Sequence, residues 1–425
     1  MNEHISVSKH RQWLLIFSII FAGEMIFSLP FHLARFFRPT FLESFQLTNT
    51  ELGDIFAFYG IVAMLAYFPG GYLADRFSAK KLMAGALFAT ALGGLYLSTF
   101  PNQNGLMMVF AYWGLTTILC FWSAMIKLTR DIASHEDQGK AFGLLDGGRG
   151  FVAASMATLA VTLVTLFFPG SMETLSAQER LDAMLVVIYL YSALTLLAGL
   201  IIMLVIPEQS NDLTHSKSIP PAATTSLKST LSNKVVWFQA GIVLAAYCGF
   251  KGLDYFGLYL VKVFNYNEIR SSELIAYSSY VRPLAAIVAG ALADKLLPTR
   301  VLKISFLLVC FSYALFSMFS NDISTLFLFG NLLFCFVLVF SMRAIYFALI
   351  EQADIASNQT GVSVGLISVI GFTPDIFFAP LAGRLLDHPD SAMGFKLFFM
   401  TLITIAIIGL IATLLLSWQL KARIH

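Results

Sequence analysis

Apolar residues in this chain come in long runs, interrupted by short clusters of Gly, Pro, Asn, Lys and Asp. A helix needs about 20 mostly apolar residues to cross a bilayer. Twelve stretches meet that length, at about 13–36, 52–74, 82–100, 106–130, 141–168, 182–206, 235–262, 273–293, 302–320, 324–350, 360–386 and 395–419. Most connections are short and rich in turn formers, as in Pro101-Asn102-Gln103-Asn104. The segment 207–234 differs: Pro220-Pro221 among many Ser and Thr reads as a hydrophilic linker. The expected organisation is a six-helix bundle over 1–206, the linker 207–234 and a second six-helix bundle over 235–425. The fold class is then an all-α membrane protein with twelve transmembrane helices. The polar start MNEHISVSKHRQ leads into a long apolar run with no small-residue cleavage site, which predicts a retained first span and not a signal peptide.

Composition agrees. Of 425 residues, 58% are hydrophobic and 12% charged, and the mean hydropathy is +0.77. Soluble domains carry about twice that share of charge. The net charge of +2, with no long basic block, argues against a nucleic-acid partner. Cys120, Cys248, Cys310 and Cys335 lie in apolar runs without a C-x-x-C, so neither a metal nor a redox framework is expected. Six histidines fall in tails or connections and His32 lies near a helix end, so no histidine is expected deep in the membrane.

Placing both termini in the cytoplasm puts 15 of the 27 basic residues on that side, seven on the other and five inside spans. The positive-inside rule favours that orientation. A repeat divides the chain at the same linker. Gly71-Tyr72-Leu73-Ala74-Asp75-Arg76, followed by Lys80-Lys81, recurs 219 residues later as Gly290-Ala291-Leu292-Ala293-Asp294-Lys295, followed by Arg300. Gly139 and Gly143 recur 222 residues later as Gly361 and Gly365. Physically, the motif glycines would let two helices approach closely, and Asp75 would face a helix N-terminus or a basic group.

At these residues the chain resembles the major facilitator superfamily. The loop signature G-x-x-x-D-R/K-x-G-x-R/K-R/K is met at Gly71, Asp75, Arg76, Lys80 and Lys81, with Ser78 in place of the second glycine; the copy at Gly290, Asp294, Lys295 and Arg300 is looser. Gly371-Phe372-Thr373-Pro374-Asp375 is similar to a phrase in a bacterial subgroup of that family. The resemblance implies two pseudo-symmetric bundles in a bacterial inner membrane, working by alternating access. It also implies a central cavity lined by spans one, four, seven and ten, with loops at Asp75 and Asp294 acting as gates and not as solute sites.

Eight charges fall inside spans: Glu24, Lys127, Arg149, Lys251, Asp254, Arg282, Arg343 and Asp375. Each costs roughly 2.5–3.5 kcal/mol at mid-membrane, so each should face the protein interior. All lie on the eight spans that line or flank the cavity which the resemblance implies. The excess of bases points to an anionic solute, because Arg presents forked donors to carboxylate, phosphate or sulfonate oxygens. The candidate solute-binding set is Arg282, Arg343, Lys251, Arg149, Lys127 and Tyr346, which shares a face with Arg343. Two readings are open for Lys127, a snorkelling anchor or a ligand, and for Arg149, which has Asp146 three residues before it. Glu24, Asp254 and Asp375 are the candidates for proton coupling, with Glu24 favoured because no base lies within one helical turn of it. Asp254 is alternatively the i, i+3 partner of Lys251, and Asp375, after Pro374, alternatively serves a kink or helix end. The glycine-rich 143–150 stretch matches no dinucleotide fingerprint and reads as close packing and bending of span five.

No G-x-x-x-x-G-K-[ST] or H-E-x-x-H occurs, so neither nucleotide-driven transport nor a membrane enzyme is expected. The expected protein is a secondary active transporter for a small organic anion or polar metabolite, coupled to protons and monomeric in the lipid bilayer, with no cofactor or metal. The alternatives are an anion antiporter or exporter without proton coupling and, in a different class, a non-transporting membrane sensor.

Overall fold

The computed structural model describes residues 9–132, 138–168, 175–208, 231–319, 323–352 and 357–422. Among them all regular structure is helical. Twelve long helices follow in chain order: α1 (Lys9–Met25), α2 (Asn49–Arg76), α3 (Ala79–Leu97), α4 (Gln103–Thr129), α5 (Gln138–Phe167) and α6 (Ala177–Val205). The second set is α7 (Lys234–Phe264), α8 (Glu268–Leu296), α9 (Pro298–Met318), α10 (Thr325–Ile345), α11 in two pieces (Ser357–Gly371 and Pro374–Leu386) and α12 (Ser391–Ala422). Among the described residues, 10 helices are long and apolar enough to span on their own, and an eleventh span forms when Trp13–Met25 joins Ser28–Phe36 across a 44° bend. The remaining helix is α3, whose Lys80-Lys81 start and many Ala and Gly residues lower its hydropathy.

Contacts divide the chain into two compact units, residues 1–45 with 58–211 and residues 46–57 with 212–425. Most of the expected linker 207–234 lies outside the described residues. Inside each unit the same helices pair: α3 with α6 and α1 with α5 and α6 in the first, α9 with α12 and α7 with α11 and α12 in the second.

Lipid competes for apolar surface, so helix pairs in a bilayer are held by close van der Waals fit at small residues. Gly409 of α12 is such a position, since a Cβ there would stand 2.6 Å from Ala245 Cβ and from Phe306. Gly94 of α3 is another, with Leu29 Cδ1 2.8 Å from the same point. The motif glycines behave otherwise, which corrects the expectation for Gly71 and Gly290. A Cβ on either meets nothing within 4 Å, whereas one on Gly70 would stand 2.9 Å from the Leu119 carbonyl oxygen. One residue is about 100° of helical turn, enough to rotate Gly71 away from the neighbouring helix.

The first turns of α2 group with the second unit because of the residues that follow α11. Asp387 accepts hydrogen bonds from the Asn49 and Thr50 backbone N–H groups (2.9 and 2.7 Å) and from Asn49 Nδ2 (3.1 Å). Arg384 donates to Asp54 at 2.9 Å. Gly53 and Gly383 permit this approach: a Cβ on Gly53 would collide with the Ala379 carbonyl oxygen and one on Gly383 with that of Asn49. Burial pushes the Asp387 carboxyl up, but the bonds from Thr50 and Asn49 outweigh it and hold it below the ordinary aspartate value. A depressed native value means stability that is present above the unfolded value of about 3.9 and lost as pH falls through the native one. Asp387→Ala should therefore cost about 1 kcal/mol at neutral pH, the magnitude of a lost helix cap. Thermal unfolding of both proteins should show the gap narrowing as pH drops below about 4.

Candidate functional site

In the first unit, α1 ends at Met25 and the chain widens into π-type hydrogen bonding over Ser28–His32, around Pro30. Pro30 has no N–H to give to a regular ladder. Ser28 Oγ donates instead to the Met25 carbonyl at 2.7 Å. In a straight helix, residues eight apart lie about 12 Å apart along the axis. Across the 44° bend the two long side chains meet, and His32 Nε2 lies 3.0 Å from Glu24 Oε1. Arg149 Nε of α5 donates to the other carboxylate oxygen at 3.1 Å. Small residues allow that reach, since a Cβ on Gly148 would stand 2.8 Å from Ile20 of α1. The three side chains are buried, at 3% (Glu24), 1% (His32) and 7% (Arg149) exposure. The Arg149 guanidinium lies 5.3 Å from the Phe27 ring and 5.7 Å from that of Trp122, while His32 packs edge-on against Tyr191 at 5.8 Å.

In the second unit, Lys251 Nζ of α7 lies 2.8 Å from Asp375 Oδ1. Tyr247 OH donates to the same carboxylate at 3.0 and 3.1 Å. Asp375 stands in the first turn of the helix Pro374–Leu386, where the helix dipole favours an anion. The other two bases are strung along rings. The Arg343 guanidinium lies 4.0 Å from the Phe250 ring and 5.9 Å from that of Tyr247, and the Arg282 guanidinium lies 5.9 Å from the Phe340 ring. Phe340 approaches Phe250 at 6.3 Å, and Phe250 stacks on Tyr247 at 6.0 Å. Arg282, Arg343 and Lys251 are thus joined through three aromatic rings into one ladder of cations and π-faces.

The two ion pairs are copies of one another with the signs exchanged. Glu24 and Lys251 are 227 residues apart, and Arg149 and Asp375 are 226 apart. The acid is on α1 and the base on α5 in the first unit; the base is on α7 and the acid on α11 in the second.

Several expectations change. Glu24 is not an isolated acid, because its partners come from α5 and from beyond the bend. His32 is a deeply buried histidine, contrary to the expectation that none exists. Arg149 pairs with Glu24 across from α1, and Lys251 pairs with Asp375 across from α11, contacts that spacing along one helix did not suggest. Lys127 donates to the Ala74 carbonyl at 2.7 Å, which ties α4 to the last turns of α2. Asp254 lies buried in a tight turn, Leu253–Tyr255, and Tyr346 is buried in another, Tyr346–Ala348. α5 runs as one helix through the glycine-rich stretch, and Gly148 there packs closely against Ile20 of α1. Of the gating residues, Arg76 covers the Tyr72 ring at 4.1 Å, Lys81 pairs with Glu208 at 2.7 Å, and Asp75, Asp294, Lys295 and Arg300 are exposed. Among the described residues no cluster of His, Cys, Asp and Glu is suited to hold a metal.

Comparison with known proteins gives a consistent picture. The family model of the Major Facilitator Superfamily matches residues 13–352. The inner membrane protein YihN of Escherichia coli K12 is 27% identical over 419 residues, 97% of this chain and 97% of that one. The nitrite extrusion protein of Bacillus subtilis 168 is 23% identical over 392 residues, 89% of this chain and 88% of that one. The solved structure of a bacterial homolog of the human lysosomal transporter Spinster, inward-facing and unoccupied, shares 12% identity and a TM-score of 0.73, covering 98% of this chain and 99% of that one. That likeness bears on the fold alone, and it is the twelve-helix fold. With buried polar groups repeated in both units and a family match over most of its length, the chain belongs to the Major Facilitator Superfamily, as a multi-pass membrane transporter of small solutes and not an enzyme.

Proposed function

We propose that this transporter moves a small organic anion or polar metabolite by alternating access, together with protons, with both termini on the cytoplasmic side. The observation that carries this reading is the ladder Arg282–Phe340–Phe250–Arg343–Tyr247–Lys251. A guanidinium stacked on a ring is held by its face, while its N–H donors lie in the plane and point past the ring edge, suited to carboxylate, phosphate or sulfonate oxygens. Lys251 supplies a third positive charge, balanced in this structure by Asp375. A relative named for nitrite extrusion supports an anionic solute. The pair Glu24–Arg149 and the acids Asp254 and Asp375 supply groups through which proton and solute occupancy can be linked. Asp75 and Asp294, at the repeated loops, serve the conformational cycle and not solute binding.

The test is uptake into proteoliposomes from a panel of carboxylates, sugar phosphates, sulfonates, nitrite, neutral sugars and amino acids, with and without an inward-directed proton gradient. Accumulation of one anionic class, driven by the gradient, is expected. Uptake only of neutral solutes would refute the anionic reading. Anion exchange indifferent to the gradient would replace proton coupling by antiport.

A further inference from the structure

The first unit holds an ionisable group for which the anion ladder has no use. His32 faces Glu24 from α1, Arg149 of α5 through Glu24, and Tyr191 of α6. Arg35 and the buried Arg38 follow on its own segment, Arg35 within electrostatic reach of Tyr191. From α3 the neighbour is Gly94, against Leu29, which carries no charge. Arg149 at the other oxygen keeps Glu24 ionised, and an ionised carboxylate only accepts, so in the 3.0 Å contact Nε2–H is the donor.

Arg149 is permanently cationic and holds Glu24 ionised. One proton bound at Nδ1, with Nε2–H still donating to Glu24, adds one positive charge to the cluster, and loss of that proton from Nδ1 removes it. Imidazole is the side chain whose ordinary range spans the pH values at which transport gradients operate. A univalent anion entering with that proton leaves the loaded transporter with no added net charge.

We propose that His32 is the residue that takes up and releases the coupled proton, and that Glu24 and Arg149 position it. This rests on the proton-coupled reading above, and it moves the proton from the carboxylate to the ring.

The test uses the full chain in lipid nanodiscs with the other six histidines replaced by Gln, so that its one labelled imidazole is His32. Its ring NMR signals should titrate between about pH 5 and 8, and Glu24→Gln should move the midpoint. A ring that stays in one protonation state across that range overturns the proposal. In proteoliposomes His32→Gln, with His32→Asn as the second variant, should lower gradient-driven accumulation at least tenfold while counterflow at equal pH falls far less. Wild-type accumulation in both variants overturns the proposal. If the ring titrates but the wild-type protein gains nothing from a proton gradient, it is the proton-coupled reading that fails, and His32 loses its role with it.

Discussion

Arg149→Met should destabilise the protein by about 3–5 kcal/mol, the cost of leaving one member of a buried ion pair without its partner. Glu24 is only 4% exposed at its side chain and Arg149 9%, so water cannot take the place of the guanidinium. The double variant Glu24→Gln, Arg149→Met removes both charges and keeps similar volumes. It should lose much less than the two single variants summed, because no uncompensated charge remains. Unfolding in mixed detergent–SDS micelles measures all four proteins on one scale. Equal and additive losses in the two single variants would mean that the 3.1 Å contact contributes nothing to stability.

Arg343→Ala should raise the KM for the anionic solute roughly 10- to 150-fold, the range that corresponds to the 1.5–3 kcal/mol of a hydrogen bond to a charged group. Its guanidinium is held 4.0 Å from Phe250, so its orientation is preset and little entropy is lost when the solute binds. Arg343→Lys keeps the charge but neither the stacked plane nor the fork, and should fall between wild type and Ala. Phe250→Leu should give a smaller loss in the same direction, by leaving the guanidinium unsupported. Initial rates of uptake over a range of solute concentrations separate KM from kcat. A loss confined to kcat would place Arg343 in the conformational cycle and not in the binding of solute.

The spans were legible because crossing a bilayer demands about 20 apolar residues, whatever the partner helices are. The scarcity of charge likewise marked Glu24, Arg149, Lys251, Arg282, Arg343 and Asp375 as interior groups. Their pairing was not legible. Spacing along one helix is the contact that sequence displays, which favoured Asp254 for Lys251 at i, i+3, and it could not show Asp375, which reaches Lys251 from α11. His32 looked like a helix-end residue because the bend across which it meets Glu24 depends on how the chain repairs the hydrogen bonds lost at Pro30. Pro30 was the available signal, since a proline eight residues or fewer from a buried acid warns that straight-helix spacing does not apply. Gly71 and Gly290 drew attention through their motif, but Gly53, Gly148 and Gly383 make the close approaches. Only folding brings Asp387 onto the first turn of α2.

Counterflow at equal pH on both sides of the membrane isolates solute recognition from any driving force. Proteoliposomes loaded with one candidate anion are diluted into a labelled trace of the same anion, for wild type, Arg282→Ala and Arg343→Ala. The expected result is a transient overshoot of label in wild type for a single anionic class, absent for neutral sugars, with half-saturation raised at least tenfold in each arginine variant. Overshoot with neutral solutes alone, or unchanged half-saturation in both variants, would contradict an anion path built on the cation ladder.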